Sequence, residues 1–276
     1  MRDPRRPLAL GLLAALCATA PAAAHDFWLV PQAFVTDAPA EVPVRFVVGH
    51  ASEVGAWNLQ WDRVVALRAH GGGTMTDLQP RLVPVSGAMP GYVRVPLAAP
   101  GTHVVAFESH HSFSDLEAEK FNQYAEDEGL TAILDARARA GTQEESGREL
   151  YSRRAKILLQ VGDEATDEAT APLGLSLEIV PERNPYALGP DRALPVRVLF
   201  RGAPLSGATV DITALGTGAE AYDKAVTDGD GRVVFEVPEG GAYKLNVVWG
   251  VPNRDTRQAE FETVFSSLTF GYAAAD

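Results

Sequence analysis

Between residues 27 and 110, short runs of β-branched residues alternate with polar positions and are interrupted by proline and glycine. The run over 42–48 is the most regular, with apolar side chains at Val42, Val44, Phe46 and Val48. Such alternation turns one face of a strand toward a core and the other toward solvent. Further runs of this kind cover 64–69, 81–85, 92–97 and 103–108. The pattern predicts an antiparallel β-sandwich for this part of the chain.

The spacing of apolar residues then changes to that of a helix. Residues 114–117 have the form of a capping box, and apolar residues at helical spacing lead to Gly129 and, in a second segment, to Gly141. Alternation resumes over 151–161. We therefore predict a small helical insertion at about 114–141, placed before the last strand of the first sandwich.

Strict alternation also marks the last hundred residues. The runs cover 173–179, 194–200, 210–212, 233–237 and 243–249. They are separated from the first half by an acidic stretch with few apolar residues, which we interpret as a linker at 163–172. The predicted fold class is therefore all-β. It comprises two immunoglobulin-like sandwiches, an N-terminal one at 25–162 and a C-terminal one at 173–276.

Residues 1–24 have the three regions of a secretory signal peptide. Three arginines precede an apolar segment from Leu8 to Ala20, and Ala22 and Ala24 form an Ala-x-Ala cleavage site. About a dozen apolar residues are too few to span a bilayer, which takes roughly 20. We expect cleavage after Ala24, a periplasmic product without membrane insertion, and His25 as the first mature residue.

Charge and cysteine content narrow the classes of partner. The 276 residues carry 24 Lys and Arg against 36 Asp and Glu, a formal net charge of −12. Without residues 1–24 the balance is 21 − 35 = −14, which argues against nucleic acid or anionic membrane as a partner. The one cysteine, Cys17, lies in the predicted signal peptide, so the mature chain has no disulfide and no thiolate ligand. Leu16 precedes it where lipid attachment requires a small residue.

Histidines provide the candidate metal ligands. Cleavage after Ala24 would give His25 a free α-amine beside its imidazole, with ordinary pKa values near 7.7 and 6.5, and the pair can chelate a metal ion. His50 leaves its strand toward the core side, and His110 and His111 lie in a predicted loop. Nitrogen ligands, with Asp26 or Glu108 as an oxygen ligand, favour Cu(II), Ni(II), Co(II) or Zn(II). The alternatives are an accidental terminal histidine, an ordinary rim histidine, and a polar loop leading into the helix.

Other polar residues carry weaker signals. Arg153, Arg154 and Lys156 are most simply interpreted as a solvated strand edge. The chain contains no nucleophile elbow, nucleotide-binding loop or His-Glu-x-x-His zinc motif.

Several ordered segments resemble a bacterial periplasmic family of unknown function that has been labelled the periplasmic component of cobalt and nickel uptake. The matching segments are 25–29, 48–50, 118–121, 128–130, 147–149, 151–153, 155–156, 173–181, 184–186, 195–199, 202–210 and 267–270. The resemblance implies a metal ion as ligand and an envelope metal transporter as partner. The second sandwich also resembles carboxypeptidase-regulatory-like and transthyretin-like modules, which usually serve as adaptors.

Three functional hypotheses follow. The leading one is a non-enzymatic periplasmic protein that binds a transition metal, for uptake or delivery of nickel, cobalt or copper. The second is an envelope adaptor or ligand-binding module without a functional metal. The third is a copper oxidase whose histidine brace is built on His25.

Overall fold

The computed structural model describes residues 26–37, 39–50, 53–218 and 221–273. The strands before the helices are β1 (Asp26–Pro31), β2 (Val35–Thr36), β3 (Ala40–His50), β4 (Glu53–Ala56), β5 (Val64–Gly71), β6 (Thr74–Asp77), β7 (Leu82–Val83), β8 (Tyr92–Leu97), β9 (Gly101–Ser109) and β10 (Ser112–Leu116). The helices are α1 (Ala118–Asp127) and α2 (Thr131–Ala140). The later strands are β11 (Gly147–Val161), β12 (Leu177–Pro181), β13 (Ala193–Phe200), β14 (Ala203–Pro204), β15 (Thr209–Ala214), β16 (Asp223–Val226), β17 (Arg232–Glu236), β18 (Ala242–Pro252) and β19 (Phe261–Gly271).

These strands form three sheets, and the prediction of an all-β sandwich fold is confirmed. The first sheet has the order β1-β3-β8-β7, with β4 also paired to β3. The second is a ten-stranded sheet in the order β16-β15-β18-β19-β11-β9-β5-β6, with β2 and β10 also paired to β11. The third has the order β12-β13-β14, with β17 paired to β13. The first and third sheets cover different ends of the large central sheet.

The central sheet runs through both halves of the chain, where the sequence predicts two separate sandwiches. Strand β11 pairs antiparallel with β9 over 158–161 and parallel with β19 over 149–157. Its fifteen residues are long enough to serve both partners. A parallel pairing between segments this distant leaves no turn signal in the sequence, so the alternation alone could not reveal it.

The position of β11 corrects the interpretation of its basic residues. Arg153, Arg154 and Lys156 lie in the middle of the central sheet and are buried, with exposures of 4%, 8% and 1%. Period-two alternation identifies a strand but does not distinguish a central strand from an edge strand. These three side chains are therefore interior groups, not a solvated edge.

The two predicted helices occur between β10 and β11 and cover part of the central sheet. Phe121 and Tyr124 of α1 and Ile133 of α2 pack against Val248 and Phe265. Gly141 ends α2 with a φ of +69°, as predicted. The helical insertion begins later than predicted, because Ser112–Leu116 forms strand β10 and pairs with β11. The residue before α1 is Glu117, whose side chain makes no capping hydrogen bond. No helix within the described residues is long and apolar enough to cross a membrane.

Candidate functional site

The predicted metal ligands fall at different places in the fold. His25 lies outside the described residues, directly before β1. His50 is the last residue of β3, which pairs antiparallel with β1. His110 and His111 connect β9 to β10. The start of β1 and the end of β3 are therefore the place where a site including His25 and His50 would lie.

His50 lies beside the carboxylate of Asp26. The last described pair of the β1–β3 ladder joins Asp26 to Gly49, the residue before His50. Regular alternation would place the Asp26 and His50 side chains on opposite faces, yet at this end of the ladder His50 Nδ1 lies 3.9 Å from Asp26 Oδ2. The imidazole is partly exposed, whereas Asp26 is buried. At this distance the contact between the carboxylate and the ring nitrogen is electrostatic and is longer than a hydrogen bond.

Two side chains from β18 hold the Asp26 carboxylate. Lys244 Nζ donates to Asp26 Oδ2, and Asn246 Nδ2 donates to Oδ1 at 2.9 Å. The Lys244 ammonium also lies 4.8 Å from the centre of the Trp28 ring, a cation–π distance. These contacts attach the first strand of the chain to the central sheet. Because Lys244 neutralises Asp26, this carboxylate is better suited to orient His50 than to bind a metal ion itself.

Two further acidic groups lie near this ion pair and have raised pKa values. Burial, followed by repulsion from Asp26, raises the pKa of Asp211 to about 6. Burial, followed by repulsion from Asp26 and Asp211, raises the pKa of Glu128 to about 8. Lys244 and Lys224 oppose both shifts. At neutral pH Glu128 is therefore mostly protonated, so the cluster of acids carries less negative charge than its composition suggests.

His110 and His111, which are neighbours in sequence, lie away from His50. The His110 backbone N–H donates to the Arg63 carbonyl at 3.0 Å, and His111 Nε2 lies 3.8 Å from Glu262 Oε1. Lys244 and Asn246, which contact Asp26, pair with Thr269 and Ser267 of β19. These two positions are 269 − 262 = 7 and 267 − 262 = 5 residues from Glu262. At about 3.3 Å per residue this is roughly 17–23 Å of strand. The structure thus does not bring His110 and His111 to the His50 end of the site.

Glu108, the other predicted oxygen ligand, forms an ion pair with an arginine. Its Oε2 lies 3.3 Å from Arg154 Nε. Within the described residues no group of three or more His, Cys, Asp or Glu side chains is placed to hold a metal ion. A site at His50 would therefore depend on donors from His25, which suits nitrogen-preferring ions such as Cu(II) and Ni(II).

Sequence reasoning missed the residues that surround Asp26. Lys244 and Asn246 occupy the polar positions of an alternating strand, and such positions are usually solvent-exposed. Here both are buried, because Asp26 of β1 lies on them and the helices pack against Val248 on the same face of β18. The contacts span 218 and 220 residues of sequence. No local pattern could have connected these strands.

Comparisons with known proteins place the chain in a family. No curated protein matches it. Among solved structures it is similar to the D0-D1 domain of intimin, with 12% identity, a TM-score of 0.22, and coverage of 90% of this chain and 98% of that one. It is also similar to trypsin-activated alpha-2-macroglobulin from Escherichia coli, with 12% identity, a TM-score of 0.22, and coverage of 91% and 16%. A family match covers residues 22–250. The chain belongs to the family described as "Domain of unknown function (DUF4198)".

Proposed function

We propose that this protein, after export and removal of residues 1–24, binds a transition metal ion through His25 and His50 and serves its uptake or delivery. The observation that carries the proposal is the 3.9 Å separation between His50 Nδ1 and Asp26 Oδ2. Asp26 is bonded to His25, and consecutive Cα atoms are about 3.8 Å apart. The predicted terminal ligand is therefore covalently attached to the residue that already lies beside His50.

The surroundings of His50 favour a ligand role. Metal-bound histidines commonly have one ring nitrogen near a carboxylate, which fixes the ring and raises the basicity of the other nitrogen. Asp26 lies on the Nδ1 side of the His50 ring, at 3.9 Å. Lys244 and Asn246 hold Asp26 in turn. This arrangement orients His50 without requiring the Asp26 carboxylate as a ligand.

The donor set would consist of nitrogen atoms. A free His25 supplies an amine and an imidazole, and His50 supplies a second imidazole. Such donors bind Cu(II) more strongly than Ni(II) or Co(II), so the ion bound in the cell depends on availability. We assign the protein a carrier role, with an envelope metal transporter as its partner, in line with the resemblance described from the sequence.

The test is calorimetric titration of mature protein that begins at His25 with Cu(II) and Ni(II) at neutral pH. We expect one ion per chain and a loss of affinity of about tenfold or more in His50→Ala. His111→Ala is the matched control and should bind as the wild type does. Equal affinity in His50→Ala and wild type, or equal losses in both variants, would overturn the proposal. Peroxide-dependent turnover by the Cu(II)-loaded protein would instead support the copper oxidase hypothesis.

A further inference from the structure

A cleft of about 460 Å³ opens on the outward face of the first sheet. Its walls are mainly apolar and come from β1, β3, β4 and two segments of the C-terminal half. The lining includes Trp28, Val30, Val47, Ala56, Pro90 and Leu215. This volume lies in the range of about 300–1,000 Å³ that is usual for small-molecule sites.

The registers of the first sheet explain why these side chains share one face. Trp28 pairs with Val47, which pairs with Ala56, and Val30 pairs with Arg45. Their neighbours Phe27, Leu29 and Val44 point the other way and form part of the core of the first half. The cleft therefore lies on the face of the first sheet that is opposite to the hydrophobic core.

Arg45 supplies the one charged side chain among the described residues that line the cleft. It lies on the exposed part of the wall, and its guanidinium has no hydrogen bond or ion pair with any described residue. Trp28 lines the same cleft and is 5% exposed. A guanidinium with free donors beside an aromatic wall is suited to an anion that carries an apolar body.

We propose that this cleft binds a small organic monocarboxylate with an apolar body, its carboxylate on Arg45 and its body against Trp28. The described lining holds no second cation and no Ser, Thr, Asn or Gln donor. This favours a singly charged carboxylate over phosphate, whose higher charge requires more donors. The proposal is independent of the metal site, because neither Arg45 nor Trp28 serves there as a ligand.

The experiment measures binding of 1-naphthoate to the mature protein by calorimetry in the presence of EDTA. Saturable binding of one molecule per chain is expected. Arg45→Gln should weaken it about tenfold or more, since a hydrogen bond to a charged group is worth about 1.5–3 kcal/mol. Arg94→Gln, an exposed arginine on β8 outside the cleft lining, is the matched control and should leave the affinity unchanged.

Two further measurements separate the carboxylate from its apolar body. The uncharged analogue 1-naphthalenemethanol should bind wild type as weakly as naphthoate binds Arg45→Gln. Ala56→Trp should abolish binding by filling the cleft while the unfolding midpoint is retained. Decanoate is tested in the same way, to distinguish an acyl chain from an aromatic ring as the apolar body. The proposal is supported if either carboxylate binds saturably and Arg45→Gln weakens that binding. No saturable binding of either one, or equal affinity in Arg45→Gln and wild type, would overturn it.

Discussion

Lys156 Nζ donates a 2.8 Å hydrogen bond to Glu178 Oε1, and both residues are 1% exposed. Lys156 belongs to β11 of the central sheet and Glu178 to β12 of the third sheet. The Glu178 carboxylate also accepts hydrogen bonds from the backbone N–H groups of residues 173–175, at 2.8, 2.9 and 3.3 Å. One buried ion pair and these hydrogen bonds therefore join β11 of the central sheet, the residues directly after the predicted linker, and β12 of the third sheet.

We expect Lys156→Met to destabilise the protein by about 3–5 kcal/mol. The substitution leaves the Glu178 carboxylate buried without its cation, and an uncompensated buried charge is costly. Urea denaturation gives the free energy of unfolding. Lys120→Met, at an exposed position of α1, is the control and should change it by less than about 0.5 kcal/mol. A similarly small effect of Lys156→Met would show that the pair does not stabilise this junction.

We expect the free energy of unfolding to fall as the pH rises through the acidic range, because of the buried carboxyl group of Glu149. It is fully buried, and burial raises its pKa from 4.5 to about 7, although Thr263, Tyr124 and Arg153 favour the charged form. Between these two values the folded chain retains a proton that the unfolded chain releases. The unfolding free energy contributed by this group therefore decreases, by at most about 1.4 kcal/mol per pH unit.

Glu149→Gln removes this proton linkage while keeping the shape of the side chain. We expect its unfolding free energy, measured in urea from about pH 5 to about pH 8, to depend less steeply on pH than that of the wild type. Glu128, whose pKa is also raised, remains in the variant and leaves part of the slope. Glu144→Gln, at an exposed position, should retain the wild-type slope. An unchanged slope in Glu149→Gln would contradict the raised pKa.

Gly147 allows α1 to lie against the start of β11. A Cβ added there would lie 2.2 Å from Phe121 Cγ, so Gly147→Ala should cost about 1–3 kcal/mol through overpacking. Gly229→Ala is the control because nothing lies within 4 Å of its added Cβ. Hydrogen exchange should show faster opening of α1 in Gly147→Ala alone. Wild-type exchange in that variant would mean that α1 is not held by this contact.

The sequence predicted the strands better than their partners. Alternation located β3, β8 and β13 because each has one apolar face against a core. It could not predict that β11 pairs with β19, because parallel strands far apart in sequence share no turn. The burial of Lys156 was missed for the same reason.

The candidate site was predictable only in part. Antiparallel pairing of the first two long strands brings the end of β3 to Asp26. The parity of His50 predicts the core face, whereas Asp26 lies on the opposite face, so alternation gave no signal for their contact. His110 and His111 were predicted to lie in a loop, but the central sheet places that loop near Glu262. Lys244 and Asn246 reach Asp26 through tertiary packing, for which single-sequence patterns contain no information.

The central claim is that the α-amine of a processed His25 binds metal together with His50. It is tested most directly by comparing Cu(II) affinity, by calorimetry at neutral pH, for protein that begins at His25 and for a variant with one extra residue ahead of it. Acylation removes the basic amine, so the account predicts a loss of affinity of about tenfold or more in the extended protein. Equal Cu(II) affinity in the two proteins would contradict the account.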